Sequence, residues 1–150
     1  MAQQIMRWGY CLLLDCHSFP DRPFANEEQV ARARPDICLG TSGSNTPAWL
    51  LDHAVSYFEL RGYSVEVDSP YSGCLVPGRY EHDLQVPALM IELNRRLYLK
   101  DAPIEAYRYR NVPVRNSDFD LVRNVVLDLM LYLVRVADCT LLVERSAVVH

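Results

Sequence analysis

The chain has 150 residues, of which 50% are hydrophobic and 23% are charged, a composition typical of a globular domain rather than a disordered segment. Its net charge of −4 provides no general attraction to nucleic acid and favours small substrates or protein partners. No apolar run reaches the roughly 18 residues that a membrane span requires. Five cysteines, with no C-x-x-C pair and no signal peptide, predict reduced thiols in a cytoplasmic protein.

Strand and helix patterns alternate along the chain, which predicts an α/β domain. Short apolar runs at residues 12–14 and 36–39, and an alternating pattern at 63–68, indicate strands. Residues 86–93 form a nearly continuous apolar run, typical of a strand that is buried on both faces. Helices are predicted at residues 2–8, 27–34, 46–62 and 118–136, long loops at 69–84 and 95–116, and either a strand or a helix extension at 139–150.

Polar side chains follow the first strand, at the place where α/β sheets usually bind ligands. Asp15, Cys16, His17 and Ser18 end the apolar run. A Ser-His-Asp triad is a poor interpretation, because neighbours on a strand point to opposite faces and no G-x-S-x-G elbow is present. Metal binding suits the spacing better, with His17 as a ligand and Asp15 holding its imidazole. A histidine that only bonds to the backbone of a turn is the open alternative.

Glu92 stands inside the apolar run at 86–93, where a charged carboxylate without a partner would cost several kcal/mol. If its strand runs parallel to that of His17, the two side chains would lie at the same edge of the sheet. Glu92 could then act as a general base. An ion pair with Arg79, Arg95 or Arg96 is the structural alternative, and residue types alone do not decide between the two.

Other residues of reactive type carry weaker hypotheses. Cys16 is a candidate nucleophile, but its side chain should point away from the adjacent His17. The remaining histidines, at positions 53, 82 and 150, are expected to be solvated. The basic and aromatic segment EAYRYRNVPVR is explained as well by surface packing of Tyr with Arg as by RNA binding.

Four blocks of sequence resemble the N-formylglutamate amidohydrolase family, in the same order and at compatible spacings. They are DCHSFP, RPDICLG, GYSVEVDSPYSG and IELNRRLY, followed by Asp101, and together they span about residues 9–101. The resemblance implies a relation to zinc carboxypeptidases and aspartoacylase. It also implies their three-layer α/β/α fold around a mixed sheet.

The same resemblance implies roles for the polar residues at the strand ends. His17 would bind zinc, Asp15 would orient His17 from behind, and Glu92 would be the catalytic base. Glu92 would take a proton from water and return it to the leaving nitrogen of N-formyl-L-glutamate, giving formate and glutamate. The implied setting is histidine degradation in the cytoplasm.

The substrate of this family carries two carboxylates, so a matching site needs fixed cations, and arginine grips carboxylates in pairs. Arg79, in the loop after PYSG, and Arg95, close to Glu92, are the expected substrate-binding cations. Tyr71 and Ser72 are expected to line the same pocket.

The chain also departs from the family pattern. Family members carry an upstream Pro-His-Ser-Gly motif that resembles the first metal-binding segment, and this sequence has no such motif. The departure predicts one partial domain over residues 1–150, equivalent to the C-terminal portion of the family fold. We therefore expect weak zinc binding and little activity from this chain alone. The alternative is a non-catalytic module that binds small molecules or forms homo-oligomers through an exposed sheet edge.

Overall fold

The computed structural model describes residues 1–23, 33–100 and 113–148, with the backbone alone for 142–148. The described strands are Leu13–Phe19 (β1), Ile37–Gly40 (β2), Val65–Val67 (β3) and Ala88–Asn94 (β4), and the α-helices are Ala2–Trp8 (α1), Ala48–Glu59 (α2) and Phe119–Val148 (α3). The strands form one sheet in the order β1-β4-β2-β3. Strand β4 runs parallel to β1 and antiparallel to β2, which is parallel to β3. The predicted α/β class with a mixed sheet is confirmed.

One face of the sheet is apolar because α2 and α3 pack against it. On the side of β2 and β4 that faces the helices, every side chain except the partly buried Leu93 is fully buried. Each helix supplies an apolar stripe at the 3.6-residue period. The buried members of this core are Ile37, Leu39, Leu50, Ala54, Tyr57, Phe58, Leu89, Ile91, Leu129 and Leu133. Burial of this set fixes which face of each strand is turned toward the helices.

On the opposite face, a second cluster of described apolar residues packs near the beginnings of β1 and β4. There Leu13 and Ala88 meet Val76 and Tyr80 of the long loop, together with Ile5 of α1. Gly9 ends α1 in the left-handed conformation, with φ of 79°, and its N–H bonds to the carbonyl of Ile5. Toward the carboxyl ends of β1 and β4 this face carries polar side chains instead.

Strand β1 continues five residues beyond the predicted run at 12–14. It pairs with β4 without a bulge from Leu13 opposite Ala88 to Phe19 opposite Asn94. Asp15 and His17 are therefore part of the strand itself. The sequence pattern did not predict the full length of β1, because its later residues alternate between a polar face and a partly exposed face. The apolar run therefore ends several residues before the pairing with β4 ends.

Most of the other predicted elements are present, with ends shifted by a few residues. The open question at 139–150 is answered by α3, which continues as a helix to Val148. The predicted helix at 27–34 falls mostly, and Asp101 entirely, outside the described residues. Thr46 does not cap α2 with its side chain; its hydroxyl donates to the carbonyl of Ala88 at 2.7 Å. None of the described helices combines the length and apolarity that a bilayer span requires.

Candidate functional site

The pairing of β1 with β4 brings three candidate residues together on the polar face. His17 lies directly opposite Glu92, and Asp15 lies two positions earlier on the same face as His17. Because the two strands are parallel, their carboxyl ends share one edge of the sheet. His17 and Glu92 were expected at the same edge of the sheet if their strands ran parallel, and the two strands do run parallel.

Asp15 and His17 form a hydrogen-bonded pair. The Oδ1 atom of Asp15 lies 2.7 Å from Nε2 of His17, and its Oδ2 atom accepts the backbone N–H of Leu75 at 3.1 Å. An ionised carboxylate only accepts hydrogen bonds, so Nε2 carries the hydrogen in this pair. The other ring nitrogen, Nδ1, is thereby left as the atom that can bind a metal or accept a proton.

Glu92 is buried beside this pair. Its side chain belongs to a residue that is only 9% exposed, and Oε2 has no hydrogen-bond partner among the described residues. Burial raises the pKa of Glu92 above its usual value, while the charges of His17 and Arg95 act in the opposite direction. A buried carboxylate with a raised pKa is suited to accept and return a proton near neutral pH.

The three arginines named as ion-pair partners for Glu92 bond elsewhere. Arg95 donates from Nε to the hydroxyl of Ser18 at 3.2 Å and from Nη2 to the Ser18 carbonyl at 3.1 Å. Arg96 bridges Asp21 and Asp36, at 2.7 and 2.8 Å. Arg79 lies on the ring of Tyr80 and donates to its hydroxyl. Of these three arginines, Arg95 has a charge that acts to lower the pKa of Glu92.

Tyr71 and Ser72 lie in the loop that follows β3. Ser72 is exposed, whereas the Tyr71 ring meets Phe19 edge-on at 5.9 Å. Arg34, which the sequence reasoning missed, is 7% exposed and contacts both rings, with its guanidinium carbon 5.8 Å from the centre of the Phe19 ring and 5.6 Å from that of Tyr71. Its position at the head of the RPDICLG block, just before buried β2, was the only sequence signal.

The cysteines near the site are not activated. Burial raises the pKa of Cys16, and the charge of Asp15 adds to the effect. The same two causes raise the pKa of Cys74 to about 11. Both side chains are therefore thiols at neutral pH rather than nucleophilic thiolates.

The described side chains at the site offer few ligands for a metal ion. Among the side chains that the structure describes, no three His, Cys, Asp or Glu residues are grouped to hold a metal. Catalytic zinc usually has three protein ligands. His17 can supply one through Nδ1, but both oxygens of Asp15 are already engaged. The described residues alone therefore do not complete a zinc site.

The described residues thus form an α/β fold with a mixed sheet that presents a carboxylate–histidine pair beside a buried carboxylate. Comparisons with known proteins narrow this class. A family model described as N-formylglutamate amidohydrolase matches residues 1–99, which include every candidate site residue. A comparison with curated protein sequences found no match.

The fold also matches a solved structure, N-formylglutamate amidohydrolase from Ralstonia eutropha JMP134. The TM-score is 0.67 and the identity 26%, over 91% of this chain and 46% of that chain. This chain thus spans less than half the length of that protein. Since the family model matches well over half of the present sequence, the chain belongs to the N-formylglutamate amidohydrolase family.

Proposed function

We propose that this chain carries the general base and one metal ligand of an N-formylglutamate amidohydrolase-like zinc hydrolase. The reaction is hydrolysis of the amide of N-formyl-L-glutamate to formate and glutamate, as a step of histidine degradation in the cytoplasm. The observation that carries the proposal is the register of β1 with β4, which sets His17 opposite Glu92 in a chain of this family.

The proposed proton transfers are made by Glu92. It accepts a proton from the water that adds to the formyl carbon, and it returns that proton to the nitrogen as the C–N bond breaks. The raised pKa of Glu92 supports this role, because a base with a pKa nearer neutrality can both take and release a proton. Glu92 then ends the cycle in its starting state.

The substrate carboxylates are assigned to arginines. Ser18 holds the guanidinium of Arg95 through two contacts, so Arg95 would meet one carboxylate with little loss of side-chain freedom. Arg79 is proposed for the second carboxylate, and its contact with Tyr80 limits its motion in the same way. Tyr71 and Ser72 are proposed to line the pocket.

Zinc is proposed as the cofactor, held in part by Nδ1 of His17. Bound zinc supplies a Lewis acid that lowers the pKa of water. Asp15 orients the imidazole, and further ligands would have to come from outside the described residues. The proposal includes the relation to zinc carboxypeptidases and aspartoacylase and their three-layer α/β/α arrangement, which the packing of α2 and α3 on one face of the sheet supports.

Two measurements on the purified chain test the proposal: zinc content by mass spectrometry, and formate release from N-formyl-L-glutamate. We expect His17→Ala to remove zinc, and Glu92→Gln to keep zinc but lower turnover about 10²- to 10⁴-fold. The control is His82→Ala, an exposed histidine that contacts Ser44. Zinc content that is unchanged in His17→Ala, or turnover that is unchanged in Glu92→Gln, would contradict the proposal.

A second candidate function is a non-catalytic module that binds small molecules or forms oligomers. It is favoured by the lack of a three-residue metal cluster among the described side chains. This function predicts no zinc and no turnover in the wild-type chain. It also predicts that binding of N-formyl-L-glutamate, measured by calorimetry, survives the joint change of His17→Ala and Glu92→Ala.

A further inference from the structure

Residues 68–75, which we name the clasp loop, cross the polar face of the sheet. At its start, Oδ1 of Asp68 accepts the N–H of Thr41 at 2.8 Å, and Oδ2 accepts the Thr41 hydroxyl at 2.6 Å. Burial alone would raise the pKa of Asp68, but hydrogen bonds from Thr41 and Gly73 together lower it. The start of the loop is thus tied to the end of β2.

The middle of the clasp loop is held against the sheet by Tyr71. Its carbonyl accepts from Sγ of buried Cys38 at 3.1 Å, and its hydroxyl accepts from Arg34 at 3.2 Å. Cys38 pairs across the sheet with Glu92, so this contact lies one strand away from the proposed base. The loop is therefore seated on the same face as the candidate site.

Gly40 allows the loop to come this close. A Cβ atom on Gly40 would overlap the carbonyl oxygen of Gly73 and the end of the Met90 side chain. Met90 can turn aside, but Gly73 contributes backbone and can move only if the loop moves. Gly40 has no left-handed φ, so the need for glycine here comes from this close approach alone.

The end of the clasp loop touches the site directly. The N–H of Leu75 donates to Oδ2 of Asp15, whose other oxygen holds His17. We propose that the clasp loop orients the Asp15–His17 pair, and that Gly40 is a positioning residue that sets how closely the loop lies on the sheet. This assignment deepens the proposed function of the same site, but it is tested without catalysis.

The test compares Gly40→Ala with Gly78→Ala by NMR. Gly78 is the matched control, because a Cβ atom there would meet nothing within 4 Å. The first readout is hydrogen exchange at the Leu75 amide, with β4 amides as the internal reference. The second is the ¹⁵N spectrum of the His17 ring, which reports the nitrogen that carries the hydrogen and would not respond to a loop of purely structural importance.

In Gly40→Ala we expect Leu75 exchange to rise about tenfold or more while β4 amides keep their protection. His17 should change from one tautomer with hydrogen on Nε2 to a mixture of two. Gly78→Ala should match the wild type in both readouts. Unchanged Leu75 exchange in folded Gly40→Ala would overturn the proposal, as would faster exchange with an unchanged His17 spectrum.

If Gly40→Ala does not fold, Arg34→Met answers the same question. It loosens the loop at Tyr71 without adding an atom at the close approach, and it should raise Leu75 exchange and mix the His17 tautomers. Its control is Arg61→Met, since Arg61 makes the same kind of contact with Tyr57, 3.5 Å above the ring, on the helix side. Equal spectra for the Arg34→Met and wild-type proteins would overturn the proposal.

Discussion

Two carboxylates near the same edge of the sheet, Asp36 and Glu92, lie in opposite environments. Asp36 accepts from Arg96 at 2.8 Å and from the backbone and hydroxyl of Ser64 at 2.9 and 2.8 Å. Glu92 is more deeply buried, and its Oε2 atom has no hydrogen-bond partner among the described residues. One carboxylate is fully engaged in holding the fold together, whereas the other is left available.

The pKa values of these two groups move in opposite directions. Burial alone would raise the pKa of Asp36, but the bonds from Ser64 and Arg96 outweigh it and the pKa is lowered. Burial also raises the pKa of Glu92, and there the opposing charges of His17 and Arg95 are too weak to reverse the effect. Burial therefore does not by itself decide the direction of the pKa shift; the hydrogen bonds that each carboxylate accepts do.

The largest expected effect comes from removing the cation that engages Asp36. Arg96→Met would leave Asp36 and Asp21 without their shared partner and should lower the unfolding free energy by about 2 kcal/mol at pH 7. Because the pKa of Asp36 is lowered in the fold, this stability is present above its unfolded pKa of about 3.9 and is lost as pH falls through the folded value. Urea unfolding across this pH range measures it.

A control for this prediction is Arg123→Met. Arg123 pairs with Asp120 on α3, but both side chains are more than half exposed, so the change should stay within about 0.5 kcal/mol. If Arg96→Met lowered the unfolding free energy no more than Arg123→Met does, the ion pairs of Arg96 would not stabilise the fold, and the proposed contrast between Asp36 and Glu92 would be wrong.

A smaller effect of opposite sign is expected at Glu92. Glu92→Gln should raise the unfolding free energy by about 1 kcal/mol at pH 7, because it replaces a buried charge with a neutral group of the same shape. The folded pKa of Glu92 is raised, so the wild type is favoured below the unfolded pKa of about 4.3 and loses stability as pH rises through the folded value.

The gain from Glu92→Gln should therefore shrink to nothing near pH 4, which urea unfolding at several pH values would reveal. Glu81→Gln, at an exposed position, should leave stability unchanged at every pH. A loss of stability in Glu92→Gln at pH 7 would mean that Glu92 is a structural group like Asp36.

Part of this site was predictable from sequence alone. Glu92 stood out because a carboxylate inside a continuous apolar run is rarely accidental, and Asp15 and His17 stood out because their spacing puts them on one face of a strand. The α/β class, the mixed sheet and the family were also correct. These features depend on local periodicity and on ordered sequence blocks, which a single chain displays directly.

The rest depends on contacts between distant parts of the chain. Local pattern cannot show that Leu75 reaches Asp15, that Arg34 contacts two aromatic rings, or that Gly40 meets Gly73. It also cannot show where the three arginines near Glu92 turn, and the role of Glu92 as a general base stays a prediction. The roles of Arg79 and Arg95 in binding substrate stay predictions.

Asp15 is intermediate between Asp36 and Glu92. Both of its oxygens are hydrogen-bonded, but the partners are a backbone N–H and a histidine ring rather than an arginine. The smallest change in stability is therefore expected at Asp15. Asp15→Asn should alter the unfolding free energy by no more than about 0.5 kcal/mol, because the pair is partly exposed. Its effect on His17 should be large. The N–H of Leu75 can only donate, so the Asn carbonyl must face Leu75 and the Asn amide must then donate to Nε2 of His17.

That reversal moves the ring hydrogen of His17 to Nδ1 and removes the lone pair that a metal would use. The ¹⁵N spectrum of the His17 ring, recorded in mildly alkaline solution, should show the exchange of tautomers directly. Asp52→Asn, at an exposed position on α2, is the control and should leave the spectrum unchanged. A ring that keeps its hydrogen on Nε2 in Asp15→Asn would show that Asp15 does not set the orientation of His17.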